Sequence, residues 1–139
     1  MTRRKYRLLP HTADLCVEVR GDDLPSLLAA AAEALFSLLT DRRRVRPKER
    51  VVLPVPPAAP DEQVYLVLRQ ALLLVSSERF LVRSAGATME AGTVKVTLAG
   101  ETADPSRHEL FREIKAVTRH ALSVRRDAGG WAARFIVDV

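Results

Sequence analysis

The segment 22–39, DDLPSLLAAAAEALFSLL, constrains the fold more than any other part of the chain. Leu27, Leu28, Ala31, Leu35 and Leu38 recur at helical spacing, Asp23 stands at a plausible N-cap, and Pro25 falls in the first turn, where no amide is needed. A helix with so wide an apolar face needs a cover, and runs of period two on either side supply one. Ahead of it Leu15, Val17 and Val19 alternate with Cys16, Glu18 and Arg20. Behind it, beyond a charged linker over 42–50, VVLPVP reads as a short strand at a sheet edge, because Pro54 has no amide to give a ladder. The proline-rich PPAAP marks a turn, and Asp61 then caps a second helix through about Ser77, with Val64, Val67, Leu68, Ala71, Leu72 and Val75 as its stripe. Leu66, Leu73 and Leu74 on its other faces make this the more deeply buried helix. Residues 80–98 read as a hairpin turning at Glu90-Ala91-Gly92, and LSVRRDAGGWAARFIVDV as a second hairpin around Asp127-Ala128-Gly129-Gly130. The stretch 106–118 between them is open to helix or strand. The whole predicts an α+β fold: a single domain over 1–139, two helices packed on a largely antiparallel β-sheet.

At 139 residues the chain is long enough to bury roughly 65–70% of its unfolded surface without a staple. One cysteine excludes an internal disulfide framework and a Cys-rich zinc site, and suits a reducing compartment, the cytoplasm by default. No apolar run is long enough, free of charge, to cross a membrane. The formal charge of +5 favours polyanions without naming one, and much of it is local, in Thr2-Arg3-Arg4-Lys5 and in Arg42, Arg43, Arg44, Arg46, Lys48 and Arg50. Aromatic residues do not interleave with these clusters, so they read equally as a nucleic-acid-facing surface or as a solvated face. Glycine-rich phosphate loops are absent from the sequence.

Polar residues interrupt the first strand in an unexpected place. His11-Thr12-Ala13-Asp14 stands where a core strand begins, and Asp is among the poorest strand formers. FIVDV carries a second misplaced aspartate, Asp138. If the two strands are neighbours the carboxylates converge, and they repel unless one is protonated or a cation lies between them. Oxygen-only ligands favour calcium, magnesium or manganese, and the carboxylate of Val139 or a nearby carbonyl would add to the set. An Asp at a strand end also serves as an ordinary turn cap. His11, His108 and His120 lack metal-ligand spacing, Ser106, His108 and Asp104 lack a nucleophile elbow, and Cys16 reads as a small core residue. Lys115 is an isolated charge in an apolar stretch, fit either to snorkel to water or to meet a phosphate.

From about Tyr6 onward these motifs fall in a familiar order: HTAD with a strand ending at Gly21, ALFSLLTD closing the first helix, then AGE, RH, EIKAVT with a following His, and VDV. In that order they resemble the archease family. The resemblance implies an accessory protein of a GTP-dependent tRNA-splicing RNA ligase, one that promotes guanylylation of the ligase's active-site histidine and multiple turnover. By motif it assigns a divalent metal ion, calcium foremost and magnesium or manganese as alternatives, to Asp14 and Asp138, and a functional role to Lys115. His11 and Thr12 shape the site rather than ligate. RNA would be touched weakly or through the ligase. Pro10 stands where family members commonly carry an acid, and Arg119 where they carry Tyr. A basic RNA-binding or chaperone-like module acting on another RNA-processing enzyme, such as a tRNA methyltransferase, is the alternative. A metal-dependent phosphoesterase lacks a positioned general base.

Overall fold

Asp23 caps the first helix as its position predicts, its carboxylate accepting the Ser26 amide at 2.8 Å, in a computed structural model that describes residues 5–9 and 14–139. That helix, α1, spans Leu24–Leu39 and is preceded by two strands rather than one: β1 (Tyr6–Leu9) and β2 (Leu15–Gly21) pair antiparallel, Tyr6 with Val19 and Leu9 with Cys16. His11, Thr12 and Ala13 fall in the connection between them, outside the described residues. A short 3₁₀ turn (Arg42–Arg44) leads to β3 (Glu49–Val55), and α2 (Pro60–Glu78) follows. The chain closes with β4 (Phe80–Glu90), β5 (Thr93–Thr102), β6 (Ala116–Asp127) and β7 (Gly130–Asp138).

The strands divide into two antiparallel sheets, β1-β2-β7-β6 and β3-β5-β4, and each helix packs on strands of both. β3 lies at an edge, as Pro54 requires. The β4–β5 turn is Ala91-Gly92, both at positive φ (49° and 81°), the backbone that a tight two-residue hairpin demands. The stretch 106–118 resolves into an irregular connection through Lys115 followed by β6, with no helix beyond a turn at 105–107.

Two expectations are corrected. Ala59, not Asp61, is the N-cap of α2; Pro60 opens the helix and Asp61 sits in its first turn, complementing the helix dipole without capping it. The order of burial is also the reverse of that expected. In α1 Leu27, Leu28, Ala31, Leu35 and Phe36 are wholly enclosed, whereas α2 buries Val64, Val67, Leu68 and Ala71, leaves Leu72 partly exposed and turns Leu73 half out to solvent. The alanine run lets strands of both sheets approach α1 closely. Leucines on every side of α2 carry no such instruction.

Candidate functional site

The ladder between β2 and β7 runs from Gly21 opposite Trp131 to Leu15 opposite Val137. Asp14 stands just ahead of β2 and Asp138 just beyond that last pair on β7. On the far side of β7, Ala116 of β6 pairs with Asp138, and the Lys115 amide donates to the Asp138 carbonyl at 2.8 Å. Asp14, Asp138 and the Lys115 backbone thus meet at one end of the four-stranded sheet.

Alternation decides which way Asp138 faces. Val17, Phe135 and Val137 are in the core, so the opposite phase, with Cys16, Glu18, Arg134 and Ile136, belongs to the outer face, and Asp138 shares it, while Asp14 precedes the strand. Asp14 is half-buried, Asp138 and Lys115 are exposed, and Val139, 38% exposed, follows the last ladder position. Side chains directly opposite on neighbouring strands come within reach of one another, and like charges so placed are destabilising. Among the described residues no Lys, Arg or His forms an ion pair with either aspartate. An all-oxygen pair of carboxylates would suit a hard divalent cation. Among the described residues no third His, Cys, Asp or Glu joins them, so carbonyls, water or a partner's groups would complete the shell.

Lys115 is held by a network that motif reading alone did not assign. Residues 103–115 have little secondary structure, yet their backbone is fastened at several points. Thr40 bridges Leu110, its hydroxyl donates to the Glu109 carbonyl at 2.7 Å, the Phe111 amide donates to the Leu39 carbonyl, and the Arg112 guanidinium donates to that of Leu38. The Leu38 and Leu39 carbonyls are C-terminal acceptors of α1 without partners inside the helix, so the connection caps the helix and is fixed by it. Beneath it Glu101 is buried, receiving Arg107 on one oxygen and the Arg46 amide (2.7 Å) and His108 Nε2 (3.1 Å) on the other. His108 Nδ1 accepts the Asp104 amide at 2.9 Å, which places the ring proton on Nε2, facing Glu101. Burial alone would raise the Glu101 carboxyl; the Arg107 guanidinium, the Arg46 amide and His108 together hold it at about 2. The signal for this network was visible as AGE and RH, motifs without a role.

Other candidates have plain structural uses. His108 points to Glu101, and Ser106 bonds Asp104 within a turn, so the three form no hydrolytic triad. Cys16 is half-buried on the outer sheet face, and His120 is exposed. Arg119 bonds Glu62 and lies over the Tyr65 ring at 4.0 Å from its centroid, tying β6 to α2. In the basic linker Arg42 reaches Ser37, Glu33 and the Arg83 carbonyl, and Arg43 pairs with Asp41, so part of that charge fastens the turn.

The model of the Archease protein family (MTH1598/TM1083) matches residues 6–139. Protein archease of Methanopyrus kandleri is 33% identical over 136 residues, covering 94% of this chain and 96% of the relative. That of Methanosarcina mazei is 32% identical over 144 residues, covering 98% and 97%. Among solved structures, Methanobacterium thermoautotrophicum protein 1598 superposes with a TM-score of 0.81 at 23% identity over 99% of this chain and all of that one. An archease of Thermotoga maritima, described as a possible chaperone, gives 0.70 at 22% identity over 94% of each chain. Both structures have the same fold.

Proposed function

Because the chain belongs to the archease family, we propose that it is an accessory protein of a GTP-dependent RNA ligase of the tRNA-splicing type, promoting guanylylation of the ligase's active-site histidine and supporting multiple turnover. The observation that carries this reading is the convergence of Asp14, Asp138 and the Lys115 backbone at one end of the four-stranded sheet. Asp14 and Asp138 would hold a divalent cation, calcium foremost. When bound, such an ion supplies charge neutralisation and an orienting centre for anionic oxygens. Two carboxylates are few for an ion that takes six to eight oxygens. Carbonyls, water or groups of the docked ligase would complete the shell.

Lys115 presents a point charge on a flexible stem, suited to a phosphate or to a carboxylate of the ligase, while the bond from its amide to Asp138 fixes where that stem begins. The chain itself does no bond-making chemistry in this scheme. The test is guanylylation of the ligase with labelled GTP, with and without this protein. Stimulation that survives both Lys115→Ala and Asp138→Ala refutes the scheme. The alternative, a basic module acting on another RNA-processing enzyme such as a tRNA methyltransferase, is favoured by the arginines of the outer sheet face; stimulation of a methyltransferase but not of the ligase would establish it.

A further inference from the structure

The outer face of the four-stranded sheet has a second charged feature beyond the aspartates. Glu18, at the centre of β2, is buried, although that face is covered by neither helix. What encloses it is arginine. Arg134 Nε donates to one carboxylate oxygen at 2.9 Å, Arg125 lies 3.8 Å from the same oxygen, and Arg7 reaches the other at 3.2 Å. The three guanidinium groups come from β7, β6 and β1, so one acid gathers cations from every other strand of the sheet. The Arg134 hydrogen bond holds the Glu18 carboxyl below its ordinary range against the desolvation that opposes it.

Three cations on one anion leave an excess of positive charge. Each guanidinium carries five N–H donors, of which the contacts with Glu18 use only part, and the arginine side chains remain 65%, 45% and 46% exposed. Lys5 and Arg20 line the same open groove as Arg7, Glu18 and Arg125. Lys5 stands just ahead of β1, two residues from Arg7, a step of at most about 6.7 Å if the chain is extended, the scale of the step between phosphates along a single nucleic-acid strand. Guanidinium forks match phosphate oxygens two at a time. Tyr6, partly buried against the core, also lines the groove, so a ring lies beside the cations, and stacking on it would discriminate little between bases.

We propose that the outer face of the four-stranded sheet is a binding site for the phosphate backbone of single-stranded RNA, with Arg7, Arg125 and Arg134 gathered on Glu18 as its anchor. Binding there is independent of base sequence and steep in salt. With about three phosphates neutralised, log affinity falls against log salt with a slope of about −2. Glu18 is a positioning residue: it trades one positive charge for a fixed geometry of three.

The site is tested with the protein alone, by fluorescence polarisation of an end-labelled single-stranded RNA of mixed sequence between 50 and 200 mM salt, about the range over which such contacts are lost. Arg7→Gln with Arg125→Gln should weaken binding about tenfold and flatten the salt slope. Arg44→Gln with Arg46→Gln makes the same change in net charge in the basic linker and should weaken it less than threefold. Should the first pair melt early, Lys5→Gln with Arg20→Gln probes the same groove away from Glu18. Equal losses from the linker and the sheet pairs would reduce the effect to net charge and overturn the site. So would absence of wild-type RNA binding at low salt. Loss of ligase co-elution by the sheet pair without any change in RNA affinity would assign the face to an acidic protein and overturn it equally.

Discussion

Glu101→Gln removes one charge from beneath the connection that carries Lys115, keeps its size, and leaves Arg107, the Arg46 amide and His108 facing a neutral amide. The native carboxyl sits at about 2 against an ordinary 4.5, and its side chain is only 5% exposed, so solvent screening takes little from the difference. At 1.36 kcal/mol per pH unit the gap is worth about 3 kcal/mol. Because the folded value is the lower one, this stability is fully present above pH 4.5 and is lost as pH falls towards 2. Urea unfolding of wild type and variant should therefore differ by about 3 kcal/mol at pH 7, and the two should converge between about pH 4.5 and pH 2. Taking the difference cancels the carboxylates common to both proteins. A gap under about 1 kcal/mol at pH 7, or one that does not close in acid, would show that the buried acid is not what fastens the connection. Ligase stimulation should fall with stability here, since the same bonds fasten the connection that leads to Lys115.

Lys115→Ala should leave the melting temperature nearly unchanged, because the side chain is exposed, while multiple-turnover joining of a 3′-phosphate RNA to a 5′-hydroxyl RNA collapses. Asp138→Asn should abolish any rise of melting temperature with calcium, which in wild type follows RT ln(1 + [L]/Kd); a calcium response equal to that of wild type would remove the aspartate from the ion site. Leu35→Ala, at a wholly buried position of α1, should cost about 2–5 kcal/mol, and Leu72→Ala, partly exposed on α2, clearly less, as read by denaturant midpoints.

Which features were legible from residues follows from how local their causes are. The α1 cap, the edge position of β3 and both predicted hairpins depend on neighbours a few residues apart, and all are present. Period two announces a strand but not its partner, so the division into two sheets was invisible, and the short β1 was absorbed into the strand that follows it. The connection 103–115 was illegible for a different reason: it is held by the far end of α1 and, through the Arg107 and His108 side chains, by a carboxylate on β5. The two aspartates stood out because strand propensity argues against them, and their lying at the same end of the sheet depends on β2 pairing with β7. Glu18 gave no such warning, since alternation would have turned it to water; only the sheet brings three arginines over it.

The pairing of Leu15 with Val137 also bears on how the protein comes to exist. A ladder that joins strands so distant along the chain closes a very large loop, whose entropy is lost before any contact repays it, and such topologies fold slowly. Until β7 docks, β2 offers an unsatisfied edge to any neighbouring strand, so a newly made chain passes through an aggregation-prone stage. The carboxylate pair does not yet exist at that stage. An ion that requires both aspartates can bind only to molecules whose ladder has closed, so cation binding would count finished copies and, by mass action, draw the unfinished ones after them.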